Sequence, residues 1–162
     1  MIDRRTLLGA GGASLIGGLA LFGSMGRSEA RTGNFEVKLT EEEWKKRLTP
    51  QQFAVLREES TERAGSSPLN KEKRKGIYAC GGCELPLFSS AAKFESGTGW
   101  PSFYAPLRNA VGKKKDNTLF FTRTEVHCRR CGGHLGHVFD DGPRPTGLRY
   151  CMNGLALAFR AA

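Results

Sequence analysis

Four side chains able to perform chemistry crowd into the twenty residues from His134 to Asn153, HLGHVFDDGPRPTGLRYCMN: the imidazoles of His134 and His137, the thiol of Cys151 and the carboxamide of Asn153. A cysteine is a nucleophile only as its thiolate, and nearby positive charge or a protonated imidazole lowers the thiol pKa. Arg149 and the two histidines are placed to supply that charge. The combination describes a thiol nucleophile with imidazole acid–base partners. Taken singly, the same residues carry less. A lone cysteine is more often a buried, inert thiol, and His134 and His137 could equally be structural or, with Asp140, form a metal pair.

The other four of the five cysteines fall into two knuckles, Cys80-Gly81-Gly82-Cys83 and Cys128-Arg129-Arg130-Cys131, with 44 residues between them. Paired CxxC knuckles at strand ends have the spacing of a tetrahedral four-thiolate zinc site, and four protein ligands leave no open position for a substrate. Such a zinc ion is structural and ties two distant loops of one domain together. Two other readings compete: a disulfide within each knuckle, and a redox-active pair. A disulfide inside CxxC closes a very small loop, and neither knuckle has the strand-to-helix setting of a redox pair, so zinc is the expectation.

Between the knuckles, Gly97-Thr98-Gly99-Trp100-Pro101 describes an ordered loop that displays an indole. Trp100 alone is more often a core residue than a wall of a binding site.

The elements that must hold these groups can be read in outline. Thr40 with Glu43, and Thr49 with Gln52, have the spacing of capping boxes, with Pro50 at a first helical position. They predict two short helices facing Trp44, Leu48, Phe53 and Leu56 inward. Residues Ser60 to Lys75 are polar and read as a surface connection. From Gly76 the pattern turns to short strands broken by Gly and Pro, with Gly76 to Ala79 and Thr118 to His127 each leading into a knuckle. The net charge of +9, from 25 basic and 16 acidic residues, bears on solubility and partners rather than fold. Its two dense runs, Lys71 to Lys75 and Lys113 to Lys115, lack the interleaved aromatics of a nucleic-acid surface and read as solvated loops.

The first thirty residues carry Arg4-Arg5, a glycine-rich apolar run and small residues ending at Ala30. This is the layout of an export signal, and the paired arginines favour a twin-arginine-type leader. The domain expected to remain is 34–162, outside the cytosol and in a bacterial periplasm. The alternative is an uncleaved anchor from Leu7 to Met25, weakened by its glycines.

GIYACGGCELPLF, KFESGTGWPSF, the second knuckle and HLGHVFDDGPRPTGLRYCMNGLAL together resemble the signature blocks of the peptide-methionine (R)-S-oxide reductases, the B-type methionine sulfoxide reductases. The helical arm, KLTEEEWKKRLTPQQFAVLREESTERAG, is similar to the start of that family, so the resemblance covers roughly Asn34 to Phe159. It implies a mainly β fold, two antiparallel sheets forming a β-tent with short N-terminal helices, and loops clamped by one zinc on Cys80, Cys83, Cys128 and Cys131. It places Cys151 as nucleophile, Trp100 against the substrate methyl group, and His134, His137 and Asn153 around the sulfoxide oxygen. Arg149 is a supporting residue. The implied activity is reduction of methionine-R-sulfoxide in oxidised proteins and peptides through a Cys151 sulfenic acid, by a monomer served by an external, thioredoxin-like or other thiol reductant. Many members carry a second cysteine where this chain has Thr98, so an intramolecular disulfide after turnover is not expected here. The competing readings are a secreted zinc module without enzymatic activity, which leaves Cys151 without a role, and a thiol-disulfide exchanger using a CxxC pair.

Overall fold

The structure, a computed structural model, describes residues 33–117 and 122–162. The expected leader with its cleavage point after Ala30 lies outside the described residues, as do residues 118–121 of the strand expected from Thr118 to His127.

Two helices open the described chain. Both α1 (Glu41–Arg47) and α2 (Pro50–Glu58) begin with a complete capping box, Thr40 exchanging hydrogen bonds with Glu43 and Thr49 with Gln52. Each box satisfies two amides that the first helical turn leaves without partners. The helices bury Trp44, Phe53, Val55 and Leu56, and Leu48 between them is buried as well.

Among the described residues, nine strands follow in two sheets. The small sheet holds β1 (Gly76–Cys80), β2 (Pro86–Ser89) and β9 (Leu157–Ala161) in the order β2-β1-β9. The large sheet holds β3 (Lys93–Phe94), β4 (Ser102–Phe103), β5 (Val111–Asp116), β6 (Arg123–Cys128), β7 (His134–Phe139) and β8 (Arg149–Met152), in the order β3-β4-β8-β7-β6-β5. Every pairing is antiparallel. The mainly β architecture with two sheets and two short helices is the one that the family resemblance implies. Aromatic rings join the layers: Phe103 stacks on Phe88 at 4.4 Å and meets Tyr78 edge-on at 4.9 Å, while Tyr150 lies 5.9 Å from Phe88. Ring pairs at these separations stabilise beyond their buried area.

Two expectations need correction. Lys113 to Lys115 is not a loop but the middle of the edge strand β5, its three lysines exposed. An edge strand has one neighbour and no need for an apolar face, and lysines there deter pairing with another chain; the run therefore hides the alternation by which strands are recognised. The stretch from Ser60 to Lys75 is not wholly surface either. It contains the buried Glu62 and Ser67 and a 3-10 turn at Pro68–Asn70. Among the described residues, no helix is long and apolar enough to cross a membrane.

Candidate active site

Side chains alternate between the faces of a strand, so residues directly opposite one another in a sheet share a face. In the large sheet one such row runs Ser102, Cys151, His137, Glu125, Lys114 across β4, β8, β7, β6 and β5. On β8 the neighbouring Tyr150 and Met152 point the other way and are buried, whereas Cys151 is only half-buried. The alternation of a strand thus aims one thiol away from the core, between a hydroxyl on one side and an imidazole on the other.

His134 joins this row through a bulge. Three residues apart on a regular strand, His134 and His137 would face opposite sides. The β6–β7 register shifts, Val126 opposing Gly136 and His127 opposing His134, so Leu135 is the extra residue. An extra residue re-aims everything beyond it, and the two rings meet edge-on with centroids 5.4 Å apart. Gly136, beside the bulge, lets β7 lie close against β8: a Cβ there would lie 2.1 Å from the Cys151 carbonyl oxygen. We expect Gly136→Ala to lower stability by about 3 kcal/mol through forced backbone separation, read as a lower denaturant midpoint; an unchanged midpoint would show that the close approach has slack.

The two imidazoles have different surroundings. His134 is fully buried, with Nδ1 2.8 Å from Glu125 Oε1, and Glu125 is in turn paired with Lys114 at 3.0 Å. His137 has Nε2 2.8 Å from Asp116 Oδ2, which also accepts from Arg123 at 2.7 Å. Burial holds the His137 pKa below its ordinary value, opposed by the Asp116 hydrogen bond and aided by the charge of Arg123. A base whose folded pKa is depressed contributes stability above its unfolded pKa of about 6.5 and loses it as pH falls through the folded value. His137 should therefore titrate below 6.5 by NMR, and Asp116→Asn should lower it further; a midpoint at or above 6.5 would contradict the burial.

Glu62 organises the other wall. Its backbone carbonyl accepts from the Trp100 indole Nε1 at 3.2 Å and its amide donates to Asn153 Oδ1 at 3.0 Å. Its carboxylate accepts from Gly154 N at 2.6 Å and Leu155 N at 3.0 Å. The Asn153 Nδ2 donates to Leu135 O at 3.2 Å, so the carboxamide is occupied at both ends by backbone. These groups enclose a cavity of about 130 Å³ lined by Trp100, His137, Cys151, Asn153, Arg123 and Phe139, among others. A groove of about 630 Å³ beside α2 and β9 is larger, yet holds neither thiol nor imidazole.

The knuckles meet as a second cluster. All four sulfurs lie within 4.8 Å of one another and are buried, with Cys80 to Cys131 at 3.7 Å and Cys83 to Cys128 at 3.5 Å. A tetrahedron with metal–sulfur bonds of roughly 2.3 Å has edges of about 3.8 Å. Both of these contacts bridge the two knuckles, so the four sulfurs converge on one point, as a shared ion needs. Crowding also splits the thiols: hydrogen bonding to Cys128 raises the pKa of Cys80 and Cys131, and the sulfur contacts of Cys83 and Cys128 lower theirs. A divalent cation is what would let all four be thiolates together. Gly132, at φ +68°, turns the chain behind the second knuckle, and Arg57 donates to Cys131 O at 3.1 Å while lying over the Trp44 ring. The helical arm thus roofs the cluster, which among the described residues is the one group of this kind able to hold a metal ion.

The SelR domain family matches residues 48–161. The chain belongs to that family, the B-type methionine sulfoxide reductases. It is 54% identical over 128 residues to "Peptide methionine sulfoxide reductase MsrB" of Leptospira interrogans, an alignment covering 78% of this chain and 98% of that protein. The protein of the same name in Methanosarcina barkeri is 56% identical over 125 residues, 76% of this chain and 88% of its own. The one in Agrobacterium fabrum is 48% identical over 125 residues, 76% and 93%.

In this SelR chain the structure brings Cys151, Trp100, His137 and Asn153 to one cavity. His134 lies behind His137 rather than on the lining. Arg149 lies two residues before Cys151 on β8, and its guanidinium pairs with both oxygens of Asp141 at 2.8 Å and lies 4.4 Å from the centroid of the Phe139 ring. Asp141 chiefly holds the guanidinium pKa above its ordinary value, with a further contribution from Cys151. Sequence reasoning missed Glu62, Asp116, Arg123, Phe139 and Glu125. The spacing of His137 from Cys151 could have pointed to Glu125 and Lys114 only with the strand register in hand.

Proposed function

We propose that the protein reduces methionine-R-sulfoxide in proteins to methionine, with Cys151 as the nucleophile and an external thiol as the reductant. The observation that carries this reading is the shared cavity of Cys151, Trp100 and His137 in a chain of the SelR family. At rest His137 is neutral, its pKa lowered by burial. It takes the Cys151 proton as the thiolate forms and passes it to the sulfoxide oxygen as sulfur is attacked, the proton-shuttle role of an imidazole. The oxygen leaves the substrate sulfur and ends on Cys151: thiol plus sulfoxide gives sulfenic acid plus thioether. One external thiol then condenses with the sulfenic acid, releasing water and leaving a mixed disulfide, and a second thiol frees Cys151.

The apolar Trp100 indole is the wall for the substrate methyl, while His137 marks the oxygen side and Cys151 the sulfur. Three such contacts around a tetrahedral sulfur distinguish its epimers. Asn153 acts here by holding Glu62 and the β7–β8 junction, His134 by buttressing His137, and Arg149 by its positive charge beside the thiol. The clamp fits one structural zinc on Cys80, Cys83, Cys128 and Cys131, which takes no part in these steps. Residues 1–30 are read as a twin-arginine-type leader delivering the domain 34–162 to a periplasm, where a thioredoxin-like reductant would act on it as a monomer. A fusion of the leader to a reporter that stays in the cytosol would remove that part.

The test is one turnover without reductant. The purified protein is mixed with a peptide carrying methionine-R-sulfoxide, thiols are trapped, and intact mass is measured. Gain of one oxygen at Cys151 with release of the methionine peptide is expected. Loss of two hydrogens would mean that a zinc cysteine forms a disulfide, and no reaction with the R epimer would remove the reading.

A further inference from the structure

Three hydroxyls stand in line with the Cys151 sulfur. Ser102 Oγ donates to the Trp100 carbonyl at 3.0 Å, and Ser96 Oγ lies 2.7 Å from Ser102 Oγ and 2.8 Å from Thr98 Oγ1. Thr98 Oγ1 lies 3.7 Å from Cys151 Sγ. The loop that carries them is tied down. Gly99 O accepts from Gly65 N and from Asn70 Nδ2, both at 2.8 Å, and Gly97 N donates to Glu95 Oε1 at 3.0 Å. Thr98 sits between two glycines with φ of +72° and +91°, which lets the chain turn so tightly that Thr98 reaches back to β8.

We propose that Thr98, backed by Ser96 and Ser102, is a catalytic hydrogen-bond donor to the Cys151 thiolate. This rests on Cys151 being the reacting thiol. A hydroxyl both donates and accepts, and its hydrogen rotates freely. With Cys151 as a thiol, the chain runs from S–H to Thr98, Ser96, Ser102 and the Trp100 carbonyl. With Cys151 as a thiolate, Thr98 turns its hydrogen onto the sulfur, Ser96 turns its own onto Thr98, Ser102 turns its own from the Trp100 carbonyl onto Ser96, and no heavy atom moves. Hydrogen bonds to a charged acceptor are about twice as strong as neutral ones, and a donor aimed at the charged form lowers the acceptor's pKa. A row of hydroxyls that can all point toward the sulfur therefore follows its charge, and links the thiol to the backbone of the residue bearing the indole.

Other charged or titrating groups face the same sulfur or stand behind it. Arg149 is on its own strand, His137 is opposite on β7, and Arg123 and Asp116 stand behind His137 on β6 and β5. Glu62 stands across the cavity wall with its carboxylate held by Gly154 and Leu155. Substitution of Thr98 leaves each of these in place, so the hydroxyl's effect is separable from theirs.

The experiment measures the rate of Cys151 alkylation by iodoacetamide across the thiol's titration range, in the full metal-loaded chain, with the modified residue identified by mass. Thr98→Val keeps the shape and removes the hydroxyl; its midpoint is expected to rise by about one pH unit. Thr98→Ser should restore a midpoint near that of the parent, and Ser96→Ala should give a smaller rise than Thr98→Val. An unchanged midpoint in Thr98→Val, or a rise in Thr98→Ser as large as in Thr98→Val, would overturn the proposal. Should Thr98→Val fail to fold, an unchanged midpoint in Ser96→Ala overturns the backed chain. Alkylation needs no sulfoxide, so this result stands apart from whether the protein reduces one.

Discussion

Cys151→Ser, which replaces one sulfur by oxygen, should leave a folded, metal-binding protein whose reduction of methionine-R-sulfoxide is slower by at least about a thousandfold. The fold should survive because Cys151 points away from the core, between Ser102 and His137, while the neighbours that pack, Tyr150 and Met152, are untouched. A serine hydroxyl can still meet Thr98 and fits the same space. Activity should fall because a hydroxyl does not ionise near neutral pH and cannot carry the oxygen as a sulfenic acid does. Thermal unfolding and metal content would be measured beside the rate with an R-sulfoxide peptide. Undiminished reduction in a protein that unfolds like the parent would move the nucleophile elsewhere.

The largest effect on stability should come from removing the metal. Chelation, or Cys128→Ser, is expected to lower the unfolding free energy on the order of 5 kcal/mol. Four buried sulfurs within 4.8 Å would be left crowded with thiol protons and without their common partner. β1 ends on Cys80 and β6 on Cys128, so an ion shared by the four cysteines would anchor one strand end of each sheet. The second knuckle also immediately precedes β7, which carries the bulge, so loosening it should reach His134 before it reaches Cys151. One zinc per chain by elemental analysis, lost together with the denaturant midpoint, is the expected pair of results. A midpoint that ignores chelation would leave the cluster with no structural role.

How far this was legible beforehand varies with the range of the interaction. Both capping boxes close within four residues, so Thr40 with Glu43 and Thr49 with Gln52 announce their helices without any knowledge of the fold. The knuckles are similarly local, though nothing short of the fold brings Cys80 beside Cys131. The cavity is another matter. Glu62 is an acidic residue in a polar stretch and looks solvated. Its burial follows from two amides, Gly154 and Leu155, more than ninety residues away. Asp116 and Lys114 are hidden in a lysine-rich edge strand whose pattern resembles a loop. For His134 the spacing points to the wrong face, and only the extra residue at Leu135 returns its ring to the side of His137.

The Glu62 junction makes the binding wall exchangeable. The thiol, its imidazole and its hydroxyls all come from the large sheet and the loop before β4, but the indole is oriented by a carbonyl belonging to the segment after α2. That segment joins the rest of the site through backbone groups of Glu62 and Gly65, which any residue sequence can offer, and through the Glu62 carboxylate, which a graft must keep. Grafting residues 33–67 from another member of the family should therefore change how tightly different oxidised peptides are held, seen in KM, while the alkylation rate of Cys151 stays as it was. The arm would then be the part of the molecule free to adapt to new clients while the reaction stays fixed. A graft that altered thiol reactivity instead would show that the two halves of the site are not modular.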